Sequence, residues 1–299
     1  MNESPRILWL ESGDLYTIRR GAEAGRQRGI QVDNLEMLDL TFSADGVAPL
    51  LASRCGDLTS RYDAVIVRSF MPFVSEALTI ARLFRDAGKV VIDASTTDEG
   101  YAMSKMHDYL LLARQGIGVP RTFQCFNPLE AEEHAEMIGY PCVLKTVFGS
   151  EGHGVFKVNS VDELRRTLWR RKPGEFMIQE FLPAEVDYRV IVVGYRALPV
   201  MVQRRPRPGE FRTNFDQAEE VTPIQTDEYP DMKSLAENAA RTLRREFSGV
   251  DIRCRGTTPL VLEANRRPGF KGFEEATGYD VAGDLIEYVR NKCRLNQPT

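Results

Sequence analysis

The chain has 299 residues, too many for one small core, so it is expected to fold as two or three subdomains. At 42% hydrophobic and 27% charged it reads as a globular chain, and no apolar run reaches the length of a membrane span. A net charge of −4 and a pI near 5.6 argue against a general nucleic-acid surface.

The first third alternates strand and helix. "RILWLE" (6–11) predicts a strand, 15–28 an amphipathic helix and "YDAVIVR" (62–68) a second strand. A helix over 75–87, ended by Gly88, leads into the strand "KVVID" (89–93). Such alternation predicts a parallel sheet, and without GxGxxG a dinucleotide site has little support. The middle predicts helices at 99–115 and 128–138, stopped by Gly116 and Gly139. Then come the strand "PCVLKTV" (141–147), the loop "GSEGHG" (149–154) and a helix near 161–171 whose first turn holds Asp162 and Glu163, where the helix dipole favours acids. The last third is richer in hairpins. "DYRVIVV" (187–193) and "ALPVMVQ" (197–203) flank the short connection Gly194-Tyr195-Arg196, and a helix over 231–247 precedes "GVDIRC" (249–254).

Five cysteines at 55, 125, 142, 254 and 293 form no CxxC pair, and the first residues lack a signal-peptide pattern, so a reducing cytoplasm is expected. Cys142 and Cys254 fall within strands as core residues. His107, His134 and His153 are too dispersed for a zinc site, and no GxSxG elbow is present.

Three stretches carry chemistry. In "PLVLEANRRPG" (259–269), Glu263 and Asn265 share a strand face. If "VDIRC" and "PLVLEAN" form a hairpin centred near Thr257, Asp251 pairs across from Glu263 on that face. Two opposed carboxylates with an amide beside them are expected to repel one another until a hard cation such as Mg²⁺ lies between them; the alternative is a polar strand end with Asp251 on the other face or in solvent. The loop after Lys145 could turn its backbone N–H groups onto a phosphate, with the lysine as a point charge, or be a plain turn. "RRPRPGEFR" (204–212) is either a solvated basic loop or, if it faces a cleft, a local anion site.

In their order these segments resemble the RimK-like amino-acid ligases of the ATP-grasp superfamily, the group of the glutamate ligases and the LysX-type carboxylate–amine ligases. The likeness is carried by "LLARQGIGVP" (111–120), "VLKTVFGSEGHGV" (143–155), "IQEFL" (178–182), "QRRPRPGEFRTN" (203–214), "GVDI" (249–252) and "VLEANRRPGFKGFEEATGYDVAG" (261–283). It implies an α/β (α+β ATP-grasp) fold: an N-terminal βα pre-ATP-grasp domain (1–94), then two ATP-grasp subdomains (95–176 and 177–299) with the nucleotide between them. Lys105 and Lys145 would contact the ATP phosphates, and Ser150 and Gly152 belong to the glycine loop that would close over them. Glu180 and Phe181 would hold the adenine, with Asp187 on the ribose and Gln179 and Leu182 as further cofactor-binding residues. Arg212, Thr213 and Asn214 would border the phosphates and the reacting carboxylate. Asp251, Glu263 and Asn265 match the family's magnesium ligands, with two ions expected and Mn²⁺ as a substitute.

The implied chemistry joins a carboxylate to an amine through an acylphosphate, releasing ADP and phosphate, with Arg205, Arg212 and Lys145 as the catalytic cations. Arg204, Arg205 and Arg267 would face the substrate. The expected substrate is an amino acid or peptide, with a carrier protein as the alternative acceptor, and the expected assembly is a homodimer or homotetramer. A third reading is an ATP-binding scaffold without turnover, against which stands the complete set Lys105, Lys145, Arg212, Asp251, Glu263 and Asn265. Two segments depart from the relatives. "FDQAEE" (215–220) replaces a basic, glycine-containing stretch, and Arg266-Arg267 stand where the relatives carry a small residue and a hydroxyl. Both lie near the expected substrate end.

Overall fold

The computed structural model describes residues 4–45, 48–54, 56–149, 154–169, 171–172, 174–183, 185–212 and 215–296. The expected sites Ser150, Gly152, Thr213 and Asn214 lie outside these residues.

The N-terminal part contains β1 (Arg6–Leu10), α1 (Leu15–Gln27), β2 (Gln31–Leu35), β3 (Leu40–Asp45), β4 (Ala48–Ser53), β5 (Gly56–Asp57), α2 (Leu58–Arg61), β6 (Ala64–Val67), α3 (Val74–Asp86) and β7 (Val90–Ile92). Its main sheet runs β2-β1-β6-β7, all parallel. β1 and β6 are nearly continuous apolar runs because helices cover both faces. α1 lies so close to the sheet that a Cβ on Gly21 would meet the Trp9 ring at 2.8 Å, and one on Gly25 would meet Val32 at 2.5 Å. The small antiparallel sheet β3-β4-β5 was not foreseen.

Then follow α4 (Lys105–Arg114), β8 (Thr122–Gln124), α5 (Pro128–Ile138), β9 (Cys142–Thr146), β10 (Val155–Val158), α6 (Val161–Leu168) and β11 (Phe176–Glu180). The four strands form an antiparallel sheet ordered β10-β9-β11-β8, and α5 and α6 cover it with a core of their own built on Leu144, Leu164 and Ile178. α4 instead packs through Leu112 against the C-terminal core. It starts at Lys105 rather than 99, because the Ser104 side chain accepts from the His107 N–H at 3.3 Å and so caps it there.

The C-terminal part contains β12 (Asp187–Val193), β13 (Arg196–Ala197), β14 (Val200–Pro206), β15 (Ala218–Gln225), α7 (Pro230–Thr242), β16 (Phe247–Arg255), β17 (Thr258–Asn265), α8 (Lys271–Thr277) and α9 (Val281–Leu295). Its sheet is ordered β15-β14-β12-β16-β17, with β13 beside β12. The departing acidic segment 215–220 runs into the edge strand, which starts at Ala218. α7 ends before 247 because Arg244 turns left-handed (φ 52°) and Phe247 already starts β16. One face of this sheet packs on α7. The other shares a core with the N-terminal sheet, in which Ile7, Trp9 and Ile66 meet Phe247, Phe270 and Leu285. The two ends of the chain therefore pack as one body, and the central sheet stands against it. Among the described residues no helix is long and apolar enough to cross a membrane.

Candidate active site

A cavity of about 960 Å³ opens between the central sheet and this body. Among the described residues lining it are nine lysines and arginines against five acids, although the whole chain carries a net −4. Such a concentration of cations attracts a polyanion.

The floor is built by strand register. Asp187 and Arg189 stand two apart on β12, hence on one face. Across the ladders Asp187 pairs with Arg204 and Arg189 with Asp251. The side chains follow: Arg204 Nε donates to Asp187 at 2.9 Å and its Nη2 to Asp251 at 2.5 Å. Arg189 grips Asp251 as a fork, Nε at 2.7 Å and Nη2 at 3.0 Å. Burial opposes the charge on Asp251, but Arg189 and Arg204 outweigh it and hold its carboxyl below the usual range. Burial lifts the Asp187 carboxyl above that range, only partly offset by Arg204. Arg189 and Arg253, which both line the cavity, were not among the expected site residues.

Asp251 and Glu263 pair across the β16–β17 hairpin as expected, by a route the sequence does not display. The turn holds two residues, Gly256 and Thr257, so Arg255 pairs with Thr258, a register that would set Leu262 opposite Asp251. An irregularity between Asp251 and Ile252 leaves Leu262 as the extra residue and brings Glu263 into place. The Tyr109 hydroxyl donates to the freed Leu262 carbonyl at 2.5 Å. Asn265 completes the face, its amide donating to Asp251 at 3.1 Å.

The expectation that these carboxylates repel one another until a cation arrives is corrected by their surroundings. Asp251 is held by two arginines, and Glu263 pairs with the Lys105 ammonium at 3.3 Å. The three oxygen-bearing side chains still fit a hard divalent cation, because two carboxylates and an amide converge at the open end of the strand pair. Among the described residues no group of three acids, histidines or cysteines competes as a metal site.

Lys145 reaches the cavity from β9, and Lys105 from the start of α4, where its ammonium also donates to the Gly149 carbonyl at the lip of the glycine loop. Burial pushes the Lys145 ammonium down to about 8; Lys105 and Arg253 push the same way and Glu263 opposes them. Gln179, Phe181 and Leu182 line the opposite end with Val143 and Val155. There Phe181 meets Phe211 edge-on at 6.2 Å, and the Lys157 ammonium lies 4.3 Å over its ring. The Glu180 carboxylate is taken up by the Arg121 N–H at 2.6 Å and by Arg255, so it is bound within the protein.

The remaining arginines separate. Arg212 lines the cavity and pairs with Glu210 at 2.7 Å. Arg204 is 1% exposed on the floor, whereas Arg205, its neighbour on β14, points to the other face, 44% exposed, toward Glu185 and Glu220. The structure thus does not bring Arg205 to the site. Arg267 lines the N-terminal end and bonds Glu11 at 2.9 Å and the Ser12 carbonyl at 3.0 Å.

Gly249 leaves room for the Arg189 fork. A Cβ there would stand 2.4 Å from Arg189 Nη1 and 3.0 Å from the Pro268 Cβ. The guanidinium can swing away at small steric cost, but it then releases Asp251. Gly249→Ala is expected to lower kcat/KM about tenfold or more while circular dichroism stays unchanged, which steady-state kinetics would check.

A family model for the RimK-like ATP-grasp domain matches residues 102–289. The chain belongs to the RimK-like ATP-grasp family. Proteins named probable alpha-L-glutamate ligase match it along nearly the full length: that of Serratia proteamaculans (strain 568) at 32% identity over 94% of each chain, and that of Cellvibrio japonicus (strain Ueda107) at 31% over 94% of this chain and 93% of the relative. Two solved structures share the fold. The ATP-grasp ligase PsnB complexed with minimal precursor superposes with a TM-score of 0.74 at 22% identity, covering 97% of this chain and 99% of that one. The RimK domain protein ATP-grasp from Sphaerobacter thermophilus DSM 20745 gives 0.69 at 22%, covering 95% and 99%. As a RimK-like ATP-grasp protein the chain is an enzyme, an ATP-dependent, ADP-forming ligase of carboxylates and amines.

Proposed function

We propose that the cavity takes ATP with its adenine between Val143, Phe181 and Leu182, its phosphates toward Lys145, Lys105 and Arg212, and the substrates at the end walled by Ser12, Arg68, Arg267 and Lys271. The observation that carries this reading is the excess of cations around one cleft of an acidic chain. Asp251, Glu263 and Asn265 would hold magnesium, two ions being the expected complement and manganese a substitute. Bound there, the metal would neutralise charge on the transferring phosphoryl group.

The protein's own part is positional and electrostatic. Arg189 and Arg204 keep Asp251 ionised and fixed, so its carboxylate is ready at neutral pH. The Lys145 and Arg212 charges offset the negative charge that moves onto the leaving diphosphate. The activated carboxylate, an acylphosphate, is open to hydrolysis, so the central sheet has reason to close over it.

Relatives named glutamate ligases, and a neighbour of like fold, PsnB, complexed with precursor peptide PsnA2, support an amino acid or a peptide as substrate. Arg68, Arg267 and Lys271 give the substrate end a positive wall, which suits a substrate retaining a free carboxylate. A homo-oligomer in the cytoplasm is the setting we infer. The test is ADP release from Mg²⁺ and ATP with panels of amino acids and short peptides. Release that requires both a carboxylate and an amine, with the joined product found by mass spectrometry, is expected; nucleotide binding without any such release would leave the scaffold reading instead.

A further inference from the structure

We propose that Arg266 is a positioning residue for Lys105: one side chain, next to the metal-site Asn265, sets where the lysine stands relative to the metal strand. The inference rests on the reading of Lys105 as a phosphate contact. Lys105 is the first residue of α4. Arg266 Nη2 donates both to the Ala102 carbonyl before it, at 2.9 Å, and to the Asp108 carboxylate one turn after it, at 2.7 Å. The turn that presents the lysine is thus bracketed from a single guanidinium, whose plane rests over the Tyr101 ring at 5.6 Å.

The same Asp108 oxygen accepts Arg245 Nη2 at 2.6 Å, and Arg245 Nη1 reaches the Ala264 carbonyl, the residue before Asn265, at 2.5 Å. Two arginines of the C-terminal body therefore converge on one buried carboxylate of α4. Stability alone would favour a one-to-one pair, since each buried charge costs desolvation. What the second arginine adds is a fixed distance between Asn265 and Lys105. The need is visible at the other side of the helix start, where the Lys105 N–H donates to the Val147 carbonyl at 3.0 Å. Val147 follows β9 of the central sheet, so the backbone of the lysine is tied to that sheet, while Arg266 ties the residues on either side of it, Ala102 and Asp108, to the metal strand. Arg267 turns the opposite way, to Glu11 and Ser12, so the dipeptide after Asn265 ties the metal strand to both neighbouring units.

The experiment is a double-mutant cycle read by titrating a fluorescent ATP analogue, with thermal melting alongside. Lys105→Ala and Arg266→Ala should each weaken binding about tenfold or more, and the double variant should bind no worse than Lys105→Ala alone. Arg266→Lys, whose one ammonium can serve both acceptors, should recover part of the loss. Losses that multiply in the double variant would overturn the proposal, because a merely structural role adds to the loss of the lysine. Should Lys105→Ala bind normally, the phosphate reading of Lys105 fails and takes the proposal with it. If Arg266→Ala does not fold, Asp108→Asn replaces it in the same cycle, with the same supporting and overturning outcomes.

Discussion

Asp251→Asn is expected to abolish ligation and to cost the nucleotide-free protein about 3 kcal/mol or more, the usual cost of removing one partner from a buried ion pair. The reason lies in what the carboxylate leaves behind. Arg204 keeps Asp187 as a partner, but Arg189 loses the carboxylate that both its Nε and Nη2 serve, and its side chain is only 11% exposed to water that could replace it. Glu263→Gln should abolish ligation as thoroughly, by removing a cation ligand, yet change stability by less than about 1 kcal/mol. Its carboxylate is 33% exposed and, among the described residues, pairs with the Lys105 ammonium. Chemical denaturation of both variants without nucleotide or metal, beside assays across magnesium concentrations, separates the two effects. If both variants gained stability, the carboxylates would indeed be repelling one another, and the counter-ion account of the floor would be wrong.

The contrast shows which parts of the site could be read from residues alone. Asp251 and Glu263 were legible because a hairpin and an alternating pattern converge on them. The bulge at Leu262 that makes the pairing work was not, since nothing in Pro259–Asn265 marks which residue is extra. Arg189 hides inside "DYRVIVV", where an arginine two places from an aspartate reads as strand alternation until β16 sets Asp251 opposite. The run Arg204-Arg205 needed the register of β14 on β12 to sort one arginine to the floor and the other to solvent. The parallel N-terminal sheet was legible from its apolar runs. The small β3-β4-β5 sheet was not foreseen, although β3, "LTFSAD", alternates apolar and polar residues as a strand does; the two residues of β5 are too few to carry a pattern. Of the two arginines after Asn265 only Arg267 reads as a substrate contact from sequence; that both are engaged by an acid of a neighbouring element, Arg266 by Asp108 and Arg267 by Glu11, needed the tertiary contacts.

Lys145 is expected to make nucleotide affinity fall as the pH rises through about 8. Burial removes water from its ammonium, and Lys105 and Arg253 repel it, so the proton leaves the empty site well below the ordinary lysine range. Phosphates favour the charged form. Below pH 8 the free protein already holds the proton, and binding takes up none. Above it, binding must bring the proton back, so Kd should rise about tenfold per pH unit. The nucleotide adds no slope of its own, because its terminal phosphate has lost its last proton near pH 6. Stability of the empty protein should move the other way. Between about 8 and the ordinary lysine value near 10.4 the unfolded chain binds the proton that the folded one has lost, so stability rises with pH in that window. Lys145→Met should bind about a hundredfold more weakly at pH 7, near 3 kcal/mol, and show neither trend. Titration calorimetry from pH 7 to 9.5, in buffers of different ionisation heat, counts the protons taken up. A wild-type Kd that stays flat across that range, or an equal slope in Lys145→Met, would show that another group carries the phosphate charge.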